Sequence, residues 1–395
     1  MRRRLALSIA AVLPALLLTT SAAAGGSECA GLPRVPGAEH QIVACLADLT
    51  TTGTAASGHT NPADYAGLTH AALPQQPAVP GVQIDGYFPD TSRTNTNHGW
   101  NHDSQFVLRL PARWNGGLVV AGSPGVRAQY ANDKAISDYV LAKGFAFAAT
   151  DKGNTGVNFF MDGVRPGDAM VEWNRRTTQL ARAARAVVAQ HYRRPAREII
   201  AAGISNGGYL VRWQLENHPE LYTRGVDLEG TLWSAKGPNL LTFLPPAIRG
   251  YEQQSPALIV KAGFDPQSDF LWNYHYTVYW KLTMRIYAAE LDPTYQGSEG
   301  DYNYMQRPDV QRAVRRIALT GKIGRPLVTI HGTYDSLLPI TQDSDRYAEL
   351  VRRTGRTRLH TYQRVEGGNH VDGLVDAFPD KLVPLVPLLQ KAIAR

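Results

Sequence analysis

The chain alternates short apolar runs with longer stretches in which apolar residues recur at helical spacing. Residues 105–110 partly alternate apolar and polar positions as a strand does, and Pro111 closes them. Residues 117–122 form a continuous apolar run of the type buried in a parallel sheet. The pattern then predicts a helix over about 133–143, a strand over 145–150, a long helix over about 168–192 and a strand over 198–203. A helix opens near Asn206, strand signal resumes at 225–233, 326–331 and 357–365, and 383–394 reads as a closing helix. Such alternation predicts an α/β fold with a mostly parallel central sheet flanked by helices.

Two stretches break the rhythm. Residues 49–80 are rich in Thr, Ala, Gly and Pro without apolar periodicity, and read as an irregular surface arm within an N-terminal segment, 25–80. Between about 235 and 322 the pattern gives way to aromatics, among them Tyr251, Phe264, Phe270, Trp272, Tyr274, Tyr276, Tyr279 and Trp280. That insertion reads as a cap on the 81–395 domain, its aromatics packing on the core or lining a pocket.

The amino end sets the compartment. Arg2, Arg3 and Arg4 precede an apolar run to Leu18, and Ala22-Ala23-Ala24 ends it, as in a cleaved secretory signal over residues 1–24. The run is short for a bilayer and Pro14 interrupts it, so export to the extracellular space without a membrane anchor is expected. Only two cysteines exist, Cys29 and Cys45; after export they are expected to form one disulfide, with a stabilisation of about 3 kcal/mol from loop closure.

Charge narrows the partners. The formal charge of +7 falls to +4 without the three leader arginines, which is no nucleic-acid footprint. Seven arginines crowd 175–197, but Leu180, Ala184, Val187 and Val188 repeat there at helical spacing, which places most of the arginines on a solvated helix face.

The candidate chemistry begins at Gly203-Ile204-Ser205-Asn206-Gly207, a G-x-S-x-G pattern between a strand and a helix. The turn lifts a serine hydroxyl out of the sheet, where flanking side chains would clash. Serine needs a base within hydrogen-bond reach, and in this arrangement an acid and a histidine follow in that order. Asp335 lies past the 326–331 strand, and His370, in Gly-Gly-Asn-His, follows the last strand. His370 would accept the serine proton, and Asp335 would hold the imidazole tautomer; on the triad template, loss of the acid cuts turnover by about 10⁴. Asp343 and Asp345 read as solvated or capping residues, His331 as structural, and His360 as a strand residue.

Two backbone N–H donors must face the substrate oxygen. Asn206 supplies one; the other is expected from Gly125, with Val126 or Ser123 as fallback, since Pro124 has no N–H. His98, His102 and Asp103 make a weak metal set, because Gly99 and Asn101 favour a loop and no further ligand is evident. Residues 151–156 face the same sheet edge as Ser205; without a phosphate-loop pattern they read as pocket rim or as a plain turn. No cofactor is implied.

Over 105–395 these features resemble the α/β-hydrolase superfamily. More narrowly, Leu110-Pro111-Ala112-Arg113-Trp114-Asn115-Gly116 and residues 144–156 are similar to secreted tannase/feruloyl-esterase-like and hydroxybutyrate-oligomer hydrolases. The resemblance implies a carboxylic-ester hydrolase acting on small or oligomeric esters, with a secreted peptidase of the same fold as the alternative. One departure is evident: Ile204 and Asn369 stand where tannases and related feruloyl esterases carry disulfide-linked cysteines.

Overall fold

The computed structural model describes residues 34–90 and 104–395. The expected leader, Cys29 of the expected disulfide, and the trio His98, His102 and Asp103 lie outside the described residues.

Nine strands form one sheet: β1 (His40–Leu46), β2 (Gly81–Tyr87), β3 (Gln105–Pro111), β4 (Gly117–Gly122), β5 (Ala146–Thr150), β6 (Glu198–Ile204), β7 (Arg224–Leu228), β8 (Leu327–Gly332) and β9 (His360–Val365). Their spatial order is β1-β2-β3-β5-β4-β6-β7-β8-β9. The first three strands and β5 pair antiparallel, and all pairs from β5–β4 to β8–β9 are parallel. Helices α1 (Thr51–Ala56) and α2 (Pro62–Tyr65) precede β2, α3 (Asp138–Ala142) precedes β5, α4 (Asp168–His191) precedes β6 and α5 (Asn206–Asn217) follows it. The insertion between β7 and β8 holds α6 (Leu240–Glu252), α7 (Pro256–Lys261), α8 (Asp269–His275), α9 (Lys281–Leu291) and α10 (Pro308–Arg315). Helix α11 (Ser344–Arg353) precedes β9 and α12 (Val386–Ile393) closes the chain.

The period-2 geometry of a strand explains why the apolar runs are continuous. Leu118 and Val120 of β4 enter one core layer with Trp173, Leu180 and Val187 of α4 and Leu210 of α5. Val119 and Ala121 enter the opposite layer with Val140 of α3 and Leu389 and Ile393 of α12. Every position of β4 is therefore buried. No helix among the described residues is long and apolar enough to cross a membrane.

The N-terminal stretch departs from the reading of a surface arm. Residues 40–46 form the edge strand β1, and Leu49, Thr51, Thr54, Tyr65 and Leu68 are buried. Thr51 donates its N–H to Asp138 at 2.8 Å, and Thr60 donates its hydroxyl to Asp133. Asp133 in turn receives a two-pronged guanidinium from Arg109 of β3, both contacts at 2.7 Å, with neither side chain exposed. Polar threonines seat this segment, so apolar periodicity carries no trace of it. The strand predicted over 225–233 ends at Leu228, where Glu229 takes a positive φ of 51°.

Two outcomes follow. Arg109→Met leaves Asp133 buried and uncompensated, and denaturant unfolding is expected to show a loss of about 3–5 kcal/mol. Glu290, on α9, accepts the Ala169 N–H at 3.0 Å; burial pushes its carboxyl up to about 9. The folded state therefore binds more protons than the unfolded chain between the ordinary 4.5 and about 9, and stability falls as pH rises through that window. Thermal melts of Glu290→Gln at pH 5, 7 and 9 are expected to show a smaller loss toward high pH than the parent.

Candidate active site

Ser205 sits between β6 and α5 with φ 59° and ψ −121°, a conformation that a non-glycine residue holds only under constraint. Its N–H donates to Leu228 O, and its carbonyl accepts from Tyr209 and Thr231 N–H. The turn is so tight that a Cβ on Gly203 would lie 2.3 Å from the Gly207 carbonyl, and one on Gly207 would lie 2.5 Å from Gly122 O. The two glycines of the motif are steric requirements of that turn.

The loops after β8 and β9 bring Asp335 and His370 to this serine. His370 Nε2 lies 2.9 Å from Ser205 Oγ, and its Nδ1 lies 2.8 Å from Asp335 Oδ2. A carboxylate can only accept, so Nδ1 carries the proton and Nε2 is left to receive the serine hydroxyl. The other oxygen of Asp335 accepts Leu337 and Leu338 N–H, both at 2.8 Å. Burial alone would raise this carboxyl; its attraction to His370 when that ring is protonated and hydrogen bonds from His331 and His370 outweigh it and hold Asp335 below the usual carboxylate range.

The two loops are stitched to each other. Tyr334 N–H donates to Gly368 O at 2.8 Å, and Ser336 N–H to Asn369 Oδ1 at 3.3 Å. Asp372 anchors the histidine loop by accepting Leu385 and Val386 N–H at the start of α12, at 2.7 and 2.9 Å.

His331 is a structural residue in direct contact with the acid. Its Nε2 lies 3.1 Å from Asp335 Oδ2 and 2.9 Å from Leu338 O, and its Nδ1 lies 2.7 Å from Ser344 Oγ. Arg212 of α5 donates to Ser344 at 2.7 Å, to Asp227 at 2.6 Å and to Asp343 at 2.9 Å. Asp343 is thus no solvated residue: it is buried, and its other oxygen accepts Leu232 N–H. Asp345 conforms better to the sequence reading, pairing with Arg364 at the surface. His360 lies on β9 against Thr329, away from the serine.

Asn206 follows Ser205, and its N–H opens α5 at the first helical position, where no preceding turn supplies an acceptor. Its side chain is fully engaged: Nδ2 donates to Gly125 O at 3.0 Å and to the Tyr287 hydroxyl at 2.6 Å, while Oδ1 accepts from Thr231 at 3.0 Å. Gly125, at φ 51°, and Val126 line the cavity beside Ser205. Ser123 is removed as a fallback donor because its N–H already bonds Thr150 O at 3.1 Å. The 151–156 turn is scaffold beneath this loop: Lys152 Nζ donates to Ser123 Oγ at 2.7 Å, and Asn154 joins Asp162 to Trp173.

A cavity of about 190 Å³ opens over Ser205, Asn206 and His370, with predominantly apolar walls from Val126, Leu240, Leu282, Ile286 and Leu337. Of the eight insertion aromatics singled out above, Tyr279 lines it; Trp272 and Trp280 are buried packing residues. The sequence reading missed Leu68 and Tyr287 at this cavity, and Glu229 beside His370. Tyr287 is one aromatic in a helical pattern, but Glu229 had a usable signal: an acid one step past a parallel strand, at the sheet edge where ligands bind. Among the described residues, Glu229, Asp335 and His370 also gather ligand atoms within 4.8 Å, as a metal site would; Asp335 and His370 are already bonded to each other.

A serine hydrogen-bonded to an oriented imidazole can attack an acyl carbon, and N–H groups beside it can receive the resulting oxyanion. The sheet, its crossovers and the positions of these residues define an α/β-hydrolase fold. Feruloyl esterase B from Aspergillus oryzae is similar in structure, with a TM-score of 0.59 at 12% identity over 86% of this chain and 81% of that one. A second Aspergillus oryzae esterase gives 0.50 at 12% identity with the same coverage. A mutant of the rice cell wall degrading esterase LipA from Xanthomonas oryzae gives 0.50 at 12% over 92% and 98%. In sequence, 74 residues are 38% identical to the D-(-)-3-hydroxybutyrate oligomer hydrolase of Cupriavidus necator, covering 18% of this chain and 10% of that protein. No family model matches the chain.

The Asn206 side chain holds the Gly125 loop in place, and a displacement of about 1 Å at a reacting centre costs about 10² in rate. Asn206→Ala is therefore expected to slow covalent capture of Ser205 by a fluorophosphonate by about that factor, with the melting temperature reported alongside.

Proposed function

We propose that this chain is a serine carboxylic-ester hydrolase working through an acyl-enzyme on Ser205. The observation that carries the reading is the continuous hydrogen-bonded line from Ser205 Oγ through His370 to Asp335. His370 Nε2 takes the serine proton as Oγ attacks the ester carbonyl, and Asp335 stabilises the imidazolium. The Asn206 N–H and an N–H from Gly125 or Val126 receive the oxyanion. His370 returns the proton to the departing alcohol, and water repeats the sequence to free the acid.

The predominantly apolar cavity favours an uncharged acyl group over a charged one. Hydroxyalkanoate oligomers are one candidate class, supported by the short likeness to the 3-hydroxybutyrate oligomer hydrolase. Aromatic or plant-derived esters are the other, in keeping with the resemblance of the 110–116 and 144–156 stretches. Ile204 and Asn369 leave the site without the cysteine staple of tannases. The leader and the Cys29–Cys45 pair favour an extracellular setting.

Intact-mass analysis after fluorophosphonate treatment is expected to give one adduct on the parent protein and none on Ser205→Ala. An unmodified parent, or an equally modified variant, overturns the reading. A panel of p-nitrophenyl esters, hydroxybutyrate oligomers, feruloyl esters and aminoacyl anilides then ranks substrates. Strong anilide turnover with negligible ester turnover would make the protein a peptidase.

A further inference from the structure

Asp335 is not the only acid facing His370. Glu229 follows β7 as Asp335 follows β8, so adjacent parallel strands deliver two carboxyls to one histidine. Glu229 is fully buried and held at a positive φ, with its N–H donating to Ile330 O at 2.9 Å. One carboxyl oxygen accepts Gly332 N–H at 3.1 Å. The other has no hydrogen-bond partner among the described residues and lies 3.9 Å from His370 Nδ1. An unpaired oxygen in a buried carboxyl is costly, and such groups concentrate at working sites.

We propose that Glu229 is a second positioning acid for His370, standing behind Asp335 in the resting site and taking the Nδ1–H when the charge of Asp335 is absent. This inference rests on the hydrolase reading given above.

The electrostatics agree with that geometry. Burial, then the charge of Asp335, pushes the Glu229 carboxyl well above its ordinary value; Asp372 and Asp227 push the same way, and the Gly332 N–H opposes them. Asp335, which also faces His331, is held the other way. Two acids beside one imidazole thus divide into an ionised partner and a proton-bearing one. Removing Asp335 removes the largest nearby charge that opposes ionisation of Glu229, while burial continues to oppose it. Once its proton has passed to solvent, the carboxylate needs to move about 1 Å from 3.9 Å to reach hydrogen-bond distance of Nδ1. From there it orients the ring while the serine proton passes to Nε2, and it stabilises the imidazolium as Asp335 does.

A four-variant cycle tests this: parent, Glu229→Gln, Asp335→Ala and the double variant, with turnover of a p-nitrophenyl ester as the readout. Glu229→Gln is expected to slow turnover by about tenfold or more beyond its effect in the parent when Asp335 is already Ala. The same factor in both backgrounds, within about twofold, overturns the proposal. Melting temperatures accompany every variant, and if Asp335→Ala fails to fold, the identical cycle with Asp335→Asn decides. Failure of the hydrolase reading is separately visible, since the parent itself would then form no acyl adduct.

Discussion

The structure depends on one strained residue. Ser205 occupies a region of backbone space that costs a side chain of its kind about 1–3 kcal/mol, and the surroundings must hold it there. Leu228 O, at the end of the neighbouring strand, takes its N–H, while Tyr209 and Thr231 bond its carbonyl. These ties exist only because β6 and β7 run parallel in register and α5 starts at once after the turn. The crowded glycines at 203 and 207 follow from the same demand. A sheet edge with the serine raised above it then fixes where every other working group must arrive.

The second theme is the handling of buried charge. Arg109 with Asp133, and Arg212 with Asp227 and Asp343, place guanidinium groups where no water reaches, each facing carboxylates. Such pairs stabilise little in themselves, yet losing one partner is severe. The Arg212 set extends through Ser344 and His331 to Asp335, so a single buried hydrogen-bonded chain links the sheet interior to the serine. At its end, Asp335 and Glu229 sit close together with opposite tendencies toward protonation.

What could be read from the sequence followed the physics of each signal. Continuous apolar runs such as 117–122 and the Gly-Ile-Ser-Asn-Gly turn carry local information, so the parallel sheet and the strand-to-helix turn at Ser205 are legible in the sequence. Asp335 and His370 were legible because chain order and strand ends constrain where an acid and a histidine can lie. The edge strand β1 was not, since its side chains are only half-buried and its neighbours Thr51 and Thr60 are seated by hydrogen bonds. Asp343 read as solvated because nothing local shows that Arg212, 131 residues away, will bury it. Glu229 and Tyr287 were passed over for a related reason: their roles come from what packs against them across the fold.

The bond from Asn206 to Tyr287 carries a consequence for redesign. The amide that steadies the loop beside Ser205 is itself steadied by a hydroxyl from the cap, and that same tyrosine is a wall of the cavity. The shape of the cavity and the placement of the Gly125 loop therefore depend on one side chain. Trimming Tyr287 to enlarge the cavity would also release the amide that holds the Gly125 loop. Enlarging the cavity without that penalty would start from Leu282 or Ile286, whose apolar side chains line the same cavity and carry no hydrogen bond.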